Sequence, residues 1–266
     1  MFWRRPVRAM VDLTTEPESP RYQAELVLVH GLWSGPWLWR AAAAGFAHRG
    51  WRCLMFDGRP GRERGGAGRD DLVAWQEDLR ATIERLEVPP VLLGHDVGGL
   101  LAMALAARGR IRAAIAIAPL LEGVGSLVKP LPRVLGRLTG REIAPPGGVH
   151  PLLAGEEDAT RSELLGQMVS EPAARALALA GTLLAPAAPL VPTLLVAGAD
   201  DPAVSSVAVQ IAASGIEADF QHHPGGHWPM LGGGTDAWVG RMHRWIIQRC
   251  GASLLLLRGD EDLRDE

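Results

Sequence analysis

Short apolar runs alternate along this chain with longer segments that repeat their apolar residues every three or four positions. The runs are as long as buried strands, and the longer segments have helical spacing. Alternating strands and helices form a parallel sheet with helices on both faces. We therefore predict the α/β class. The predicted strands are residues 25–30, 52–56, 91–93, 113–118, 193–198 and 218–221, and the predicted helices are 37–49, 72–86, 98–108, 203–213 and 236–250.

The alternation stops between residues 120 and 190. This stretch contains a Pro-Pro-Gly-Gly cluster at 145–148 and predicted helices at 160–169 and after Pro172. A chain of 266 residues can form one or two domains, but the same pattern resumes afterwards, which favours one core with an insertion. We predict an N-terminal arm or edge strand at 1–24, a core at 25–119 and 191–250, a small, mostly helical lid at 120–190, and a C-terminal tail at 251–266.

The composition excludes several classes of partner. The chain has 27 basic and 30 acidic residues, a net charge of −3, so it has no basic excess for nucleic acid. No run approaches the ~18 apolar residues of a membrane span. Two cysteines, Cys53 and Cys250, are too few for a disulfide framework. Arg4 and Arg5 are followed by charged residues rather than by the apolar stretch of a secretion signal. We expect a cytoplasmic protein.

A Gly-x-Asp-x-Gly sequence joins the strand that ends at residue 93 to the next helix. It runs Gly94, His95, Asp96, Val97, Gly98. A sharp strand-to-helix turn strains its central residue and needs small residues two positions before and after it. The sequence resembles the nucleophile elbow of the α/β-hydrolase fold family, with Asp where serine usually stands. The resemblance implies that Asp96 is the nucleophile and that Val97 N–H helps to bind an oxyanion.

The loop after the first predicted core strand also resembles this family. His30, Gly31, Leu32 and Trp33 are similar to its His-Gly turn, which implies that Leu32 N–H is the second oxyanion donor. The wider stretch 30–39 (HGLWSGPWLW) is most similar to the hydroxynitrile lyase and plant methylesterase branch. Trp33 here, and Trp228 in a later loop, flank candidate catalytic loops and are candidates for contacts with substrate.

The acid and the histidine of a triad follow two later strands. In the family the acid stands three residues after a glycine such as the one ending strand 193–198, which implies Asp201, with Asp200 as an alternative. Glu122 is a rival, because some dehalogenase-like members carry the acid after the strand corresponding to 113–118. His227, in a Gly-Gly-His-Trp-Pro sequence, is then the base. The chain order nucleophile, acid, histidine is that of the fold, and the resemblance covers roughly residues 25–250.

A metal or cofactor is not expected. His222 and His223 are close to His227 in the sequence, but no cysteine or carboxylate cluster accompanies them. The resemblance implies that the triad acts without a cofactor, and a predicted lid rich in Leu, Ala and Val favours a small hydrophobic substrate.

An aspartate nucleophile favours attack on a saturated carbon. A carboxylate that attacks an ester carbonyl forms a high-energy anhydride, whereas it is ionised at neutral pH and can displace a leaving group from saturated carbon. The resemblance to haloalkane dehalogenases and epoxide hydrolases implies an aspartyl ester on Asp96, hydrolysed by water that His227 activates. The substrate is then a halide, an epoxide or a β-lactone. Val97 replaces the dehalogenases' halide-binding Trp, and Tyr22, outside the lid, is the chain's only tyrosine, where epoxide hydrolases use a lid pair.

Three alternatives keep the same fold. The chain could be an esterase- or lactonase-like hydrolase, a lyase in which Asp96 and His227 form a non-covalent acid/base pair, or a non-catalytic binder. The similarity of stretch 30–39 to hydroxynitrile lyases supports the lyase. Fold-level analogy does not choose between these activities.

Overall fold

A mostly parallel sheet forms the centre of the protein. The computed structural model describes residues 11–58, 72–121, 142–143, 145, 153, 156–172 and 187–254. Its strands are β1 (Val11–Thr15), β2 (Leu26–Val29), β3 (Cys53–Phe56), β4 (Val91–His95), β5 (Ala113–Ile117), β6 (Glu142–Ile143), β7 (Glu171–Pro172), β8 (Thr193–Gly198) and β9 (Asp219–His223). Within this part of the chain the main sheet has seven strands in the order β1-β3-β2-β4-β5-β8-β9. Only the edge strand β1 is antiparallel to its neighbour there, and β6 and β7 form a separate antiparallel pair.

Helices cover both faces of this sheet. They are α1 (Arg40–His48), α2 (Leu72–Ile83), α3 (Val97–Ala106), α4 (Asp158–Gln167), α5 (Ser206–Gly215) and α6 (Thr235–Cys250), with short 3-10 helices at Pro36–Trp39 and Gly251–Leu254. Side chains alternate along a strand, so Val27 and Val29 of β2 pack into one core with α2, α3 and α5. Leu26 and Leu28 pack into the other core with α1 and α6. The predicted α/β class with helices on both faces is confirmed.

Most predicted elements lie within a few residues of the observed ones, and one helix begins later for a local reason. The helix predicted at 203–213 is α5, which begins at Ser206. The carboxylate of Asp201 binds the amides of Ala203 and Val204 at 2.8 and 3.0 Å, which keeps these residues in a turn. Ser205 then caps the helix by accepting the Ala208 N–H.

The segments outside the core are described in part. The predicted arm contains β1, which pairs with β3 as an edge strand. In the predicted lid, the helix at 160–169 is α4, and β6 pairs with β7. The helix predicted after Pro172 lies outside the described residues, and of the cluster at 145–148 only Pro145 is described. No described helix is both long and apolar enough to cross a membrane.

Strand order brings the loops of the predicted site together. β2 and β4 are neighbours, with Val29 opposite Gly94, so the loops that follow them leave the sheet side by side. β8 and β9 are also neighbours, with Gly198 opposite His223. Their loops lie at the same carboxyl edge, where ligands of open α/β sheets bind.

Candidate functional site

The turn from β4 into α3 holds Asp96 in a strained backbone conformation. Its φ of 55° and ψ of −116° are rarely adopted by residues other than glycine. The chain packs too closely here for side chains on either side. A Cβ on Gly94 would overlap the Gly98 carbonyl oxygen, and one on Gly98 would overlap the Val29 carbonyl oxygen. The two glycines are therefore required for the turn that presents the Asp96 side chain.

The two oxygens of the Asp96 carboxylate have different surroundings. Oδ2 accepts a hydrogen bond from the backbone N–H of Leu32 at 2.9 Å. Oδ1 is buried and has no hydrogen-bond partner among the described residues. A Cβ on Gly31 would lie 2.6 Å from Asp96 Cβ and 2.7 Å from Oδ2, so glycine is needed for this close approach. The carboxylate thus has one fixed oxygen and one unpartnered oxygen.

Burial changes the acidity of this carboxylate. Asp96 is only 5% exposed. Desolvation raises its pKa to about 6, against the opposing effects of the His227 charge and the Leu32 hydrogen bond, while the charges of Glu171 and Asp201 add to the rise. Asp96 is therefore mostly ionised at neutral pH but becomes protonated in mild acid.

His227 and Asp201 form a buried pair. Nδ1 of His227 donates to Oδ2 of Asp201 at 2.7 Å, and both side chains are almost fully buried. The other Asp201 oxygen accepts the two turn amides before α5, so the carboxylate is fixed in orientation. This bond fixes the ring and leaves Nε2 of His227 as the nitrogen that can accept a proton.

The charges around His227 favour its protonated form. Burial lowers its pKa, but the charge and hydrogen bond of Asp201, then the charges of Asp96 and Glu156, outweigh this effect, and the net pKa is raised. His95 packs against the ring at a centroid distance of 4.7 Å and donates from Nε2 to the His227 carbonyl at 3.0 Å. Burial lowers the pKa of His95 well below its usual value, so it is neutral and holds the loop.

Two carboxylates of the lid segment, defined here as residues 156–172, reach these loops, and sequence reasoning did not identify them. Glu171, in β7, is fully buried, and its Oε1 accepts the Trp33 N–H at 3.1 Å. Burial raises the pKa of Glu156, while backbone hydrogen bonds from Trp228 and His227 oppose the rise. In the sequence these two glutamates look no different from the exposed glutamates of the same segment, such as Glu163.

The remaining predicted residues are the second oxyanion donor, the two tryptophans and the two alternative acids. Val97 begins α3 directly after Asp96, with no hydrogen bond from its N–H to the carboxylate among the described contacts. Trp228 is buried and packs against His227 at a centroid distance of 5.1 Å, and Trp33 is half-buried. Asp200 is exposed, whereas Asp201 bonds the histidine. The alternative acid Glu122 lies outside the described residues.

The two histidines at the end of β9 do not form a metal site in the described part of the chain. His223 is buried, and its Nδ1 accepts from Arg241 at 2.9 Å, while burial lowers its pKa to about 4. His222 is exposed. The described residues contain no cluster of three or more His, Cys, Asp or Glu that could hold a metal ion.

The arrangement can perform two kinds of chemical step: nucleophilic attack by a carboxylate and proton transfer by an imidazole. Asp96 presents a buried anionic oxygen, and His227 presents a ring nitrogen whose partner orients it. The two residues interact electrostatically, since each shifts the pKa of the other. Leu32 N–H can stabilise negative charge on Oδ2. The loops after β2, β4, β8 and β9 thus bring together a backbone N–H, a buried carboxylate and an oriented imidazole.

Comparison with known proteins agrees with this architecture. The model of the alpha/beta hydrolase family matches residues 26–239. No curated protein sequence matches the chain. Solved structures with a similar fold include a monoacylglycerol lipase of Paleococcus ferrophilus, at 17% identity and a TM-score of 0.73, covering 89% of this chain and 98% of that one. They also include an enol-lactonase of Burkholderia xenovorans, at 19% identity and a TM-score of 0.68, covering 88% and 95%.

These matches span most of the described core. The sheet order, the strained turn after β4 and the family match all concern the same residues. The chain belongs to the alpha/beta hydrolase family and is a hydrolase by that membership.

Proposed function

We propose that this hydrolase attacks a small hydrophobic substrate with Asp96 and forms a covalent aspartyl ester. His227, oriented by Asp201, then activates the water that hydrolyses the ester. Leu32 N–H, together with Val97 N–H, stabilises the oxyanion of that second step. The function needs no metal or cofactor.

The observation that carries this proposal is the asymmetry of the Asp96 carboxylate. Oδ2 is held by Leu32 N–H at 2.9 Å, and Oδ1 is unpartnered among the described residues. A carboxylate that only capped α3 would use its oxygens on helix amides, but no side-chain cap bond is made. The free oxygen is therefore the nucleophile, and the bound oxygen later carries negative charge.

The bonds made and broken define the two steps. Oδ1 forms a bond to a saturated carbon as the leaving group departs with the electron pair. In the second step His227 Nε2 takes a proton from water, and the water oxygen bonds to Asp96 Cγ. Negative charge passes to Oδ2, where Leu32 N–H already lies. The tetrahedral intermediate expels Oδ1 with the product, which takes its proton from His227, and the water oxygen stays in the carboxylate.

The leaving group narrows the substrate class. A halide needs a donor such as the Trp that follows the nucleophile in dehalogenases, but the chain has Val97 there. An opening epoxide needs an acid such as a lid tyrosine, but the only tyrosine is Tyr22. A β-lactone attacked at its saturated ring carbon expels a carboxylate, which needs no proton. Among the three classes we favour β-lactones for this reason.

A single turnover in heavy-oxygen water tests the covalent route. With enzyme in excess over a β-lactone, one labelled oxygen is expected in the peptide that contains Asp96, and none in the new hydroxyl group of the product. Label in the product alone would rule out the aspartyl ester and favour a non-covalent acid/base reaction. Absence of turnover with halides, epoxides, β-lactones and activated esters would favour a binder.

A trapping variant gives a second test. His227→Gln removes the base, so mass spectrometry should find the substrate's mass added to Asp96 at full occupancy. His222→Gln is the matched control, because His222 is an exposed histidine close in sequence. The control should turn over normally and show no adduct. An unmodified His227→Gln protein after exposure to a substrate that wild type consumes would overturn the proposal.

A further inference from the structure

We propose that Glu171 is a positioning residue of this site: by holding the backbone of Trp33, it fixes the Leu32 N–H on Asp96 and makes that donor depend on the lid segment. The inference rests on the proposed function for its kinetic consequence, but its geometric content stands separately.

Trp33 is bonded to the lid segment through both of its backbone polar groups. Its N–H donates to Glu171 Oε1 at 3.1 Å, and its carbonyl accepts from Val169 N–H at 3.0 Å. Glu171 is itself fixed, because it is fully buried and its backbone pairs with Ile143 in the β6–β7 ladder. Two points of attachment hold both position and orientation of this residue.

The backbone of Trp33 needs such support. Its φ is 54°, a left-handed conformation that bulky residues adopt only when the surroundings enforce it. Hydrogen bonds to the amide and the carbonyl are the kind of contact that enforces it. Without them, the loop is expected to relax toward φ values below zero.

Relaxation of Trp33 would move the neighbouring donor. Leu32 N–H and Trp33 N–H are consecutive amides, separated by one residue's φ and ψ, and they point to two different carboxylates, Asp96 and Glu171. Fixing the second amide therefore restricts the first. Inside the loop, Ser34 Oγ donates to the Gly31 carbonyl at 3.0 Å. That bond shapes the turn but does not attach it to the lid segment.

The expected effect differs between the two chemical steps. In the first step negative charge on Oδ2 decreases as Oδ1 becomes an ester oxygen, so the Leu32 N–H does not increase the rate of ester formation. In the second step a full charge develops on Oδ2, and a misplaced donor slows ester hydrolysis. Loss of the Glu171 contact should therefore lower kcat and leave kcat/KM, which reports ester formation, nearly unchanged.

Two substitutions at Glu171 separate positioning from charge. Glu171→Ala removes the acceptor of the Trp33 amide, and we expect kcat to fall by about tenfold or more, with the aspartyl ester accumulating on Asp96. Glu171→Gln keeps an acceptor oxygen and should retain kcat within about threefold. Glu163→Gln is the matched control, because Glu163 is an exposed glutamate on the same lid segment. Equal losses in the Ala and Gln variants would overturn the positioning role, as would no loss in either.

A second contact tests the same idea without touching the buried carboxylate. Val169→Pro deletes the N–H that donates to the Trp33 carbonyl. Val169 is partly exposed, and Met168 before it already has φ −62° and ψ 142°, the conformation that a following proline requires. We expect Val169→Pro to lower kcat in the same step, whereas Val169→Ala keeps the N–H and should behave as wild type. Wild-type kcat in the proline variant would contradict the inference.

Amide exchange distinguishes failure of this inference from failure of the proposed function. In the folded protein, measured by NMR, exchange of Leu32 N–H and Trp33 N–H should be at least about tenfold faster in Glu171→Ala than in wild type or Glu171→Gln. Unchanged Leu32 exchange would overturn the positioning role even if the aspartyl ester is found. Faster Leu32 exchange without any ester in His227→Gln would support the positioning role and reject the covalent mechanism.

Discussion

Replacing Asp96 with Asn should stabilise the folded protein while it abolishes ester formation. The substitution nearly preserves shape, and the amide oxygen can still accept the Leu32 N–H. It removes a charge whose burial raises the pKa from 3.8 to about 6, a difference equivalent to about 3 kcal/mol in the free energy of unfolding. We expect an increase of about that size near pH 8, where Asp96 is ionised in both the folded and the unfolded protein.

The pH dependence gives the prediction its sign. Between 3.8 and about 6 the folded protein binds more protons at this site than the unfolded chain, so the destabilisation caused by Asp96 grows as pH rises and is complete above about 6. The gain from Asp96→Asn should therefore fall to roughly half near pH 5. Urea unfolding of wild type and Asp96→Asn near pH 8 and near pH 5 measures this difference in the free energy of unfolding. Mass spectrometry verifies that the amide of the variant is intact.

A matched acidic neighbour controls for general charge effects. Asp200 is exposed, so Asp200→Asn should change stability by less than about 0.5 kcal/mol at either pH. A destabilised Asp96→Asn protein near pH 8, or a gain independent of pH, would refute the argument that desolvation dominates at Asp96.

Three further results follow from the same geometry. In wild type, kcat/KM should fall as pH decreases through about 6, because Asp96 becomes protonated and loses its nucleophilic charge. A flat pH profile of kcat/KM down to pH 5 would contradict the role of Asp96 as the ionised nucleophile. Gly31→Ala should lower kcat/KM by about tenfold or more, because the new Cβ would lie 2.7 Å from Asp96 Oδ2. Steady-state kinetics measures this loss, and thermal unfolding of the variant is the control for folding. Asp201→Asn removes the anion that raises the pKa of His227, so the acid limb of the pH profile of kcat should move to lower pH, and kcat itself should fall. An unmoved acid limb would show that His227 does not titrate in the step that limits kcat.

Local patterns predicted the parts of the site that depend on single strand-loop-helix units. Gly94, Asp96 and Gly98 follow a strand directly, and their spacing is set by the close packing of the turn. Asp201 shows how one residue can serve two purposes, because one oxygen holds the turn before α5 and the other holds His227.

Residues contributed by the lid segment lacked such a pattern. Glu171 lies 138 positions from Trp33, and no periodicity links an irregular loop to a two-residue strand. Glu156 precedes Glu157 and Asp158 at the start of α4, where acidic residues are expected for the helix dipole alone. Which acidic residue is buried against the core depends on how the lid segment folds back, and this depends on tertiary packing of Leu153, Leu164 and Met168.

Under the proposed mechanism, the bound oxygen of Asp96 distinguishes this site from one built for acyl transfer. In a serine hydrolase the anion-binding amides hold the carbonyl oxygen of the substrate, but here Leu32 N–H already holds the carboxylate of the enzyme. In the proposed mechanism the carbonyl carbon of the enzyme's own aspartyl ester is then the electrophile. Asp96→Ser should free this N–H and leave the hydroxyl near His227, so the variant is expected to gain an acylation burst with an activated ester such as a nitrophenyl acetate. The reasoning would be refuted by a folded Asp96→Ser protein that shows no burst and still protects Leu32 N–H from exchange. Another group would then bind this N–H, and the carboxylate would not be what excludes esters.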